Sequence, residues 1–190
     1  MVVDDAVALA LRGRSRTEVA TFVASCAERM VQIFTGLCGD VSGRAGDMDV
    51  VVRLMEDLWN QEVPAESFRM AVSSLEGFQE LEPSDEEIAE IADIYSFYSI
   101  LALRYASLYR CAFDVEDALK CAHSCLTSMA QLDQNLAGAD FFAQEVGCQR
   151  RAVSETYLTS LSGNVVAQLR ESDRAIGRER VAAILSRLAQ

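Results

Sequence analysis

The chain has two prolines, Pro64 and Pro83, a single histidine, His123, a single lysine, Lys120, and a single tryptophan, Trp59. Each scarcity excludes something. Proline interrupts helices, so 190 residues with only two of them favour long, unbroken helices. One histidine cannot supply the paired Glu-x-x-His motifs of a di-iron bundle. A Ser-His-Asp triad would have to use His123, and no G-x-S-x-G turn surrounds any serine. There is no C-x-x-C, no P-loop and no G-x-G-x-x-G. No stretch approaches the roughly 18 apolar residues of a membrane span. The N-terminus, MVVDDAVALALRGRSR, begins acidic and lacks the basic start of a signal peptide. The expectation is a cytoplasmic protein with reduced thiols, no membrane contact and no cofactor. The 16 arginines against one lysine read as the coding bias of a GC-rich genome and carry no functional weight.

What is present is ordinary globular material, 51% hydrophobic and 24% charged, in a length that suits one domain. The net charge is −12 and uneven. Residues 1–149 carry 10 basic and 25 acidic side chains, whereas residues 150–190 carry 7 basic and 4 acidic. An acidic body repels phosphate backbones, which argues against nucleic acid as a partner.

The apolar periodicity is helical throughout. SRTE at 15–18 is a capping box, and Val19, Phe22, Val23, Cys26, Met30, Ile33, Phe34 and Leu37 follow at helical spacing, so a helix is expected over 15–39. Asp47 or Asp49 can cap a second helix reaching Asn60, with Val51, Leu54, Met55, Leu58 and Trp59 on its inner face. Pro64 suits the start of a third, 65–79. LEPSDEE announces a fourth over 85–111, apolar on more than one face and therefore expected to be central. Asp114 can cap a fifth over 115–137, and Asp140 can start a sixth that runs, with a break near Gly147, to about Leu161. SGN at 162–164 reads as an interruption. The fold class is all-α, a compact bundle of six to eight helices. Residues 1–172 are expected to form one helical domain. Residues 173–190 form an added amphipathic helix, with Ile176, Val181, Ile184, Leu185 and Leu188 opposing Arg174, Arg178, Arg180 and Arg187. Such a face must pack on the body, on a second copy as a homodimer, or on another partner.

KCAHSC at 120–125 places two cysteines around the only histidine. With roughly 100° of turn per residue, Cys121 and Cys125 share a face and His123 points to the opposite side. The three cannot converge on one ion while the helix is intact, and a structural zinc site needs a fourth ligand. No metal site is expected; the cysteines read as core packing, with His123 and Lys120 facing water. No catalytic residue stands out.

The blocks FVASCAERM (22–30), Cys38, VRLMEDLWN (52–60), EPS (82–84) and EDALKCAHSCLTSMAQLDQNLAG (116–138) together resemble the YjaG-like family of small bacterial helical proteins, a family of unknown function. The resemblance spans about 9–170. It implies an all-helical cytoplasmic protein and brings no catalytic residues. GRERVAAILSRLAQ at 177–190 looks like an addition to the family pattern.

Two clusters are candidates for function. No basic residue lies between Arg69 and Arg104, and Glu76, Glu80, Asp85, Glu86, Glu87, Glu90 and Asp93 make that stretch acidic. This face could dock a basic protein, as a non-catalytic, immunity- or adaptor-like binding module would. The alternative is a small-ligand site or enzyme pocket inside the bundle, using Glu28, Arg29, Arg53 and Trp59, with Tyr95, Tyr98, Tyr105 and Tyr109 as its lining. Glu28 with Arg53, or Arg29 with Glu56, could equally be an interhelical ion pair.

Overall fold

Ser15 accepts a hydrogen bond from Glu18 N while the Glu18 carboxylate accepts from Ser15 N, and this reciprocal cap starts a 23-residue helix that is buried along most of its length. In the computed structural model, which describes residues 3–39, 41–82, 91–136, 138–154 and 163–189, eight α-helices account for most of the described residues. They are α1 (Asp5–Gly13), α2 (Arg16–Cys38), α3 (Ala45–Trp59), α4 (Ala65–Leu75), α5 (Ile91–Ala112), α6 (Val115–Asn135), α7 (Phe141–Ala152) and α8 (Gly163–Leu188). A 3-10 turn, Gln79–Leu81, follows α4. Among the described residues there is no strand and no helix long and apolar enough to cross a membrane.

The bundle is arranged around α2. It packs against α3, α5, α6, α7 and α8, and every side chain from Val19 to Val31 is buried. α5, expected to be central, packs between α2, α4 and α6. α2 is buried on more sides than its apolar stripe predicts, because its buried stretch also contains the polar residues Thr21, Ser25, Glu28 and Arg29. Polar groups at such a position must find partners inside the protein.

Several element boundaries differ from the expectations, each for a local reason. Nine residues before the capping box form α1, because Asp4 accepts from Ala6 N and Val7 N, and Val3, Val7 and Leu11 fall on one buried face. α3 begins before Asp47, whose carboxylate is taken by Arg44 and does not cap. The far end of α3 is closed by Arg110 of α5, which donates to Leu58 O (2.8 Å) and Asn60 O (3.1 Å) while lying over the Phe68 ring. Gly147 lies inside an unbroken α7. The boundary expected at 172/173 falls in the interior of α8, which runs continuously from Gly163. The residues expected to start the fourth helix, Pro83 to Glu90, lie outside the described residues.

α8 crosses α2 at very short range. A Cβ built on Gly177 would stand 2.7 Å from Arg29 O and 2.7 Å from Gln32 Cβ, and one on Gly36 would stand 2.5 Å from Val181 Cγ1. Two glycines, one on each helix, therefore set the approach. The close crossing brings the charged side chains of both helices together.

Candidate functional site

Glu28 and Arg29 are consecutive on α2, so their side chains leave the helix about 100° apart. They seed two different polar clusters on either side of the α2–α8 seam.

Arg29 turns inward and is wholly buried. Its Nε and Nη2 donate to Glu145 Oε2 (2.9 Å) and Oε1 (2.8 Å) of α7, a bidentate pair. Nη1 donates to Ser25 Oγ (2.7 Å) and to Asp173 Oδ1 of α8 (2.7 Å). Gln149 Nε2 bridges Glu145 Oε1 (3.0 Å) and Ala122 O (3.0 Å). Arg180 is also fully buried; its Nε donates to Gln144 Oε1, and its Nη2 stands 2.8 Å from Glu145 Oε2. That last contact is an ion pair that lies off the line of an N–H bond, so Arg180 Nη1 and Nη2, like Asp173 Oδ2, have no hydrogen-bond partner among the described residues.

Two arginines and two carboxylates thus form a buried quartet of zero net charge. Its electrostatics follow from that balance. Burial opposes ionisation of Glu145, but the charges of Arg29 and Arg180 outweigh it and hold the carboxyl at about 2. For Asp173, burial wins over Arg29 and raises the pKa above the ordinary value. Burial works against the charge of Arg29, and Glu145 and Asp173 reverse it, keeping the guanidinium firmly protonated.

Glu28 turns toward α3 and the outer face of α8. Its carboxylate is saturated by four donors: Trp59 Nε1 (2.7 Å) and Arg170 Nε (3.0 Å) at Oε2, Gln32 Nε2 (3.2 Å) and Arg174 Nε (2.9 Å) at Oε1. Arg170 continues outward to Glu56, donating from Nη1 (2.9 Å) and Nη2, and its guanidinium lies over the Trp59 ring. Hydrogen bonds from Arg170 lower the Glu56 pKa. Outside Glu28 opens a groove of 380 Å³ between α2, α3 and α8. Val31, Val52 and Met55 give it an apolar lining, Gln32 and Thr35 line it from α2, and Arg170, Arg174 and Arg178 line it from α8. These arginines are four apart on α8 and share a face.

The expected pocket residues are therefore divided. Glu28 and Trp59 meet. Arg29 belongs to the inner quartet, and Arg53 is exposed and makes no ion pair among the described residues. Neither expected pair, Glu28–Arg53 or Arg29–Glu56, is formed; Arg170 and Arg174 pair with Glu28, and Glu145 and Asp173 pair with Arg29. Arg180, expected on the polar side of the tail, is its most buried charge. A signal for Glu145 existed: it shares a helical face with Phe141, Cys148 and Ala152, where a lone acid among apolar neighbours calls for a buried cation.

Of the tyrosine stripe, Tyr95 and Tyr109 are buried in the core and Tyr98 and Tyr105 are half-buried against it. Tyr95 OH accepts from Asn135 Nδ2 (3.1 Å), and Tyr109 OH donates to Arg16 O (3.1 Å). In the acidic stretch, Glu80 is held by Arg44 through two bonds (2.9 and 2.8 Å) and is almost fully covered, Glu76 accepts from Arg104 (3.1 Å), and Asp93 is exposed. Asp85, Glu86, Glu87 and Glu90 lie outside the described residues. Cys121 and Cys125 are buried against α2 and His123 is exposed. Compared with family models, curated proteins and solved structures, the chain matches none.

Proposed function

We propose that the protein is a non-catalytic binding protein whose ligand is a small acidic molecule carrying an apolar portion, held in the groove between α2, α3 and α8. The observation that carries this reading is the saturation of Glu28. With four donors on one buried carboxylate, the cluster beneath the groove is closed, while the outer arginines face the opening. Arg174 is about one-third exposed and Arg178 more than half. Their other partners, Glu56 and Glu171, are themselves exposed, and surface pairs of that kind are worth at most about 1 kcal/mol and are readily exchanged. A ligand carboxylate or phosphate can take the place of Glu56 at these guanidiniums while its apolar part covers Val52 and Met55. The volume falls within the range of about 300–1,000 Å³ found for small-molecule sites.

The lining argues for binding without chemistry. It contains no Cys, His, Ser or Lys, and its one hydroxyl, Thr35 Oγ1, donates to Val31 O and Gln32 O. The arginines also reverse the local sign of an otherwise acidic molecule, so an anion is drawn to this face and away from the rest. Docking of a basic protein on the acidic stretch has less support, since Glu80 is spent on Arg44. The YjaG-like resemblance supplies no ligand.

Calorimetric titration with hexyl phosphate, hexanoate and succinate tests the reading. Hexyl phosphate is expected to bind best, with an affinity that falls with salt, and an Arg174→Ala/Arg178→Ala variant is expected to lose about 1.5 kcal/mol or more of binding, the scale of a charge-assisted hydrogen bond. No heat from any of the three, or unchanged affinity in the double variant, would overturn it.

A further inference from the structure

Two carboxylates line the groove, Glu28 and Glu56, and only one of them can leave it. The Glu28 side chain is 1% exposed and fixed by its four donors, whereas that of Glu56 is 60% exposed. Glu56 reaches in from α3, accepting from Arg170 Nη1 (2.9 Å) and Nη2, with its Oε1 3.6 Å from Arg174 Nη2. Both arginines are aimed from beneath by Glu28, which accepts from Arg170 Nε (3.0 Å) and Arg174 Nε (2.9 Å). Each guanidinium thus spends its Nε on Glu28 and turns an Nη edge toward Glu56. The Glu56 carboxylate sits where two guanidiniums converge, which is the way arginines hold carboxylates and phosphates.

Resting on the groove as the protein's ligand site, we propose that it selects a small phosphate monoester in its dianionic form, and that Glu56 is the built-in occupant of the phosphate subsite, displaced when the ligand binds. The choice of a dianion follows from the charges. Three guanidiniums less the buried Glu28 carboxylate leave +2 once Glu56 has swung away. A ligand carboxylate repeats Glu56 and leaves one of those charges uncompensated; a phosphate monoester, close to −2 at neutral pH, balances both. Its three terminal oxygens also offer more acceptors than a carboxylate has, for the Nη edges of Arg170 and Arg174 and for Arg178. Arg178 is held only by Glu171 among the described residues, through one contact of 3.0 Å in which both side chains are more than half exposed, so it is readily recruited. Glu56 is released at low cost for the same reason: its carboxylate passes into water from an exposed position.

Titration of the full chain and of Glu56→Gln with hexyl phosphate and with its monoanionic diester, hexyl methyl phosphate, tests this at pH 5 and pH 7.5. In the parent, hexyl phosphate affinity should rise about tenfold between the two pH values, following the ligand's own second ionisation near 6. Diester affinity should stay flat and weaker. The diester also controls for titration of the protein, whose groove is lined by Glu28, Glu56, Arg170, Arg174 and Arg178 and by no histidine, the side chain that ordinarily changes charge in this range. Removing a competitor should tighten both ligands in Glu56→Gln at pH 7.5, by about three- to fivefold, the worth of a surface ion pair. A residue that merely braced Arg170 would give the opposite sign, a weakening. Hexyl phosphate that binds the parent with a flat pH profile, or no better than the diester, or that binds Glu56→Gln no more tightly than the parent, would overturn this inference and leave the groove as a ligand site. Binding of neither compound to either protein would overturn both.

Discussion

Arg29 is a fully buried cation, and its cost is met by geometry at the level of single atoms. Four of its contacts are to named acceptors on α2, α7 and α8, so removing one partner strands a charge in the core. Glu145→Gln keeps the volume and removes the compensation for both Arg29 and Arg180. Loss of one partner of a buried pair costs about 3–5 kcal/mol, and urea denaturation should show a loss of that size. A change below about 1 kcal/mol would mean that the quartet is not coupled to folding. The same residue sets a pH dependence. Its folded value of about 2 lies below the 4.5 of a free glutamate, so its stabilisation is complete above about 4.5 and is lost as pH falls toward 2. Asp173 runs the other way: its raised value means that protonation favours the fold, which makes the acid loss shallower. The parent's melting temperature should therefore fall between about pH 4.5 and 2 more steeply than that of Glu145→Gln. At this scale the sequence was partly legible. Ser15, Asp114 and the inward face of α3 follow from spacing alone. Arg29 and Arg180 did not, because an arginine's burial depends on partners 116 and 35 residues away that no local pattern announces.

Among the helices, α8 is the one whose role departs furthest from its pattern. It was expected to dock by an apolar stripe. Of that stripe Ile184 is buried, but Leu185 and Leu188 remain exposed. The helix is held instead by Arg170, Arg174, Asp173 and Arg180, from two of its faces, and this is possible only because Gly177 lets its backbone approach α2. Alanine favours a helix interior over glycine by about 1 kcal/mol, so propensity alone would make Gly177→Ala stabilising. The 2.7 Å approach to Arg29 O, a backbone atom that cannot swing aside, reverses the sign. Gly177→Ala should cost about 1–3 kcal/mol in chemical denaturation, with its helical circular dichroism largely retained. A stabilised variant would show that the seam between α2 and α8 is looser than described. Helix type was legible from periodicity here; the continuity through residue 172 was not, since the charges of Arg170, Glu171 and Asp173 look like a boundary between elements.

Across the whole molecule, the acidic excess of residues 1–149 and the basic excess of residues 150–190 meet along one seam. On its inner side the charges cancel in the buried quartet. On its outer side they leave a groove walled by three arginines. The fold class follows from composition and periodicity, because proline scarcity and helical spacing act everywhere along the chain. The site depends on where distant segments cross, which is why Glu28 and Trp59 could be singled out in advance while the arginines that surround them could not. Trp59 is also the only tryptophan, and it touches both Glu28 and Arg170, so its fluorescence reports on this one place. Titration of the parent and of Arg174→Ala/Arg178→Ala with hexyl phosphate, following Trp59 emission, tests the groove most directly. A saturable change in the parent, weakened by salt and absent from the double variant, is the expected result. Emission that stays constant to millimolar ligand, or changes equally in both proteins, would contradict a ligand site between α2, α3 and α8.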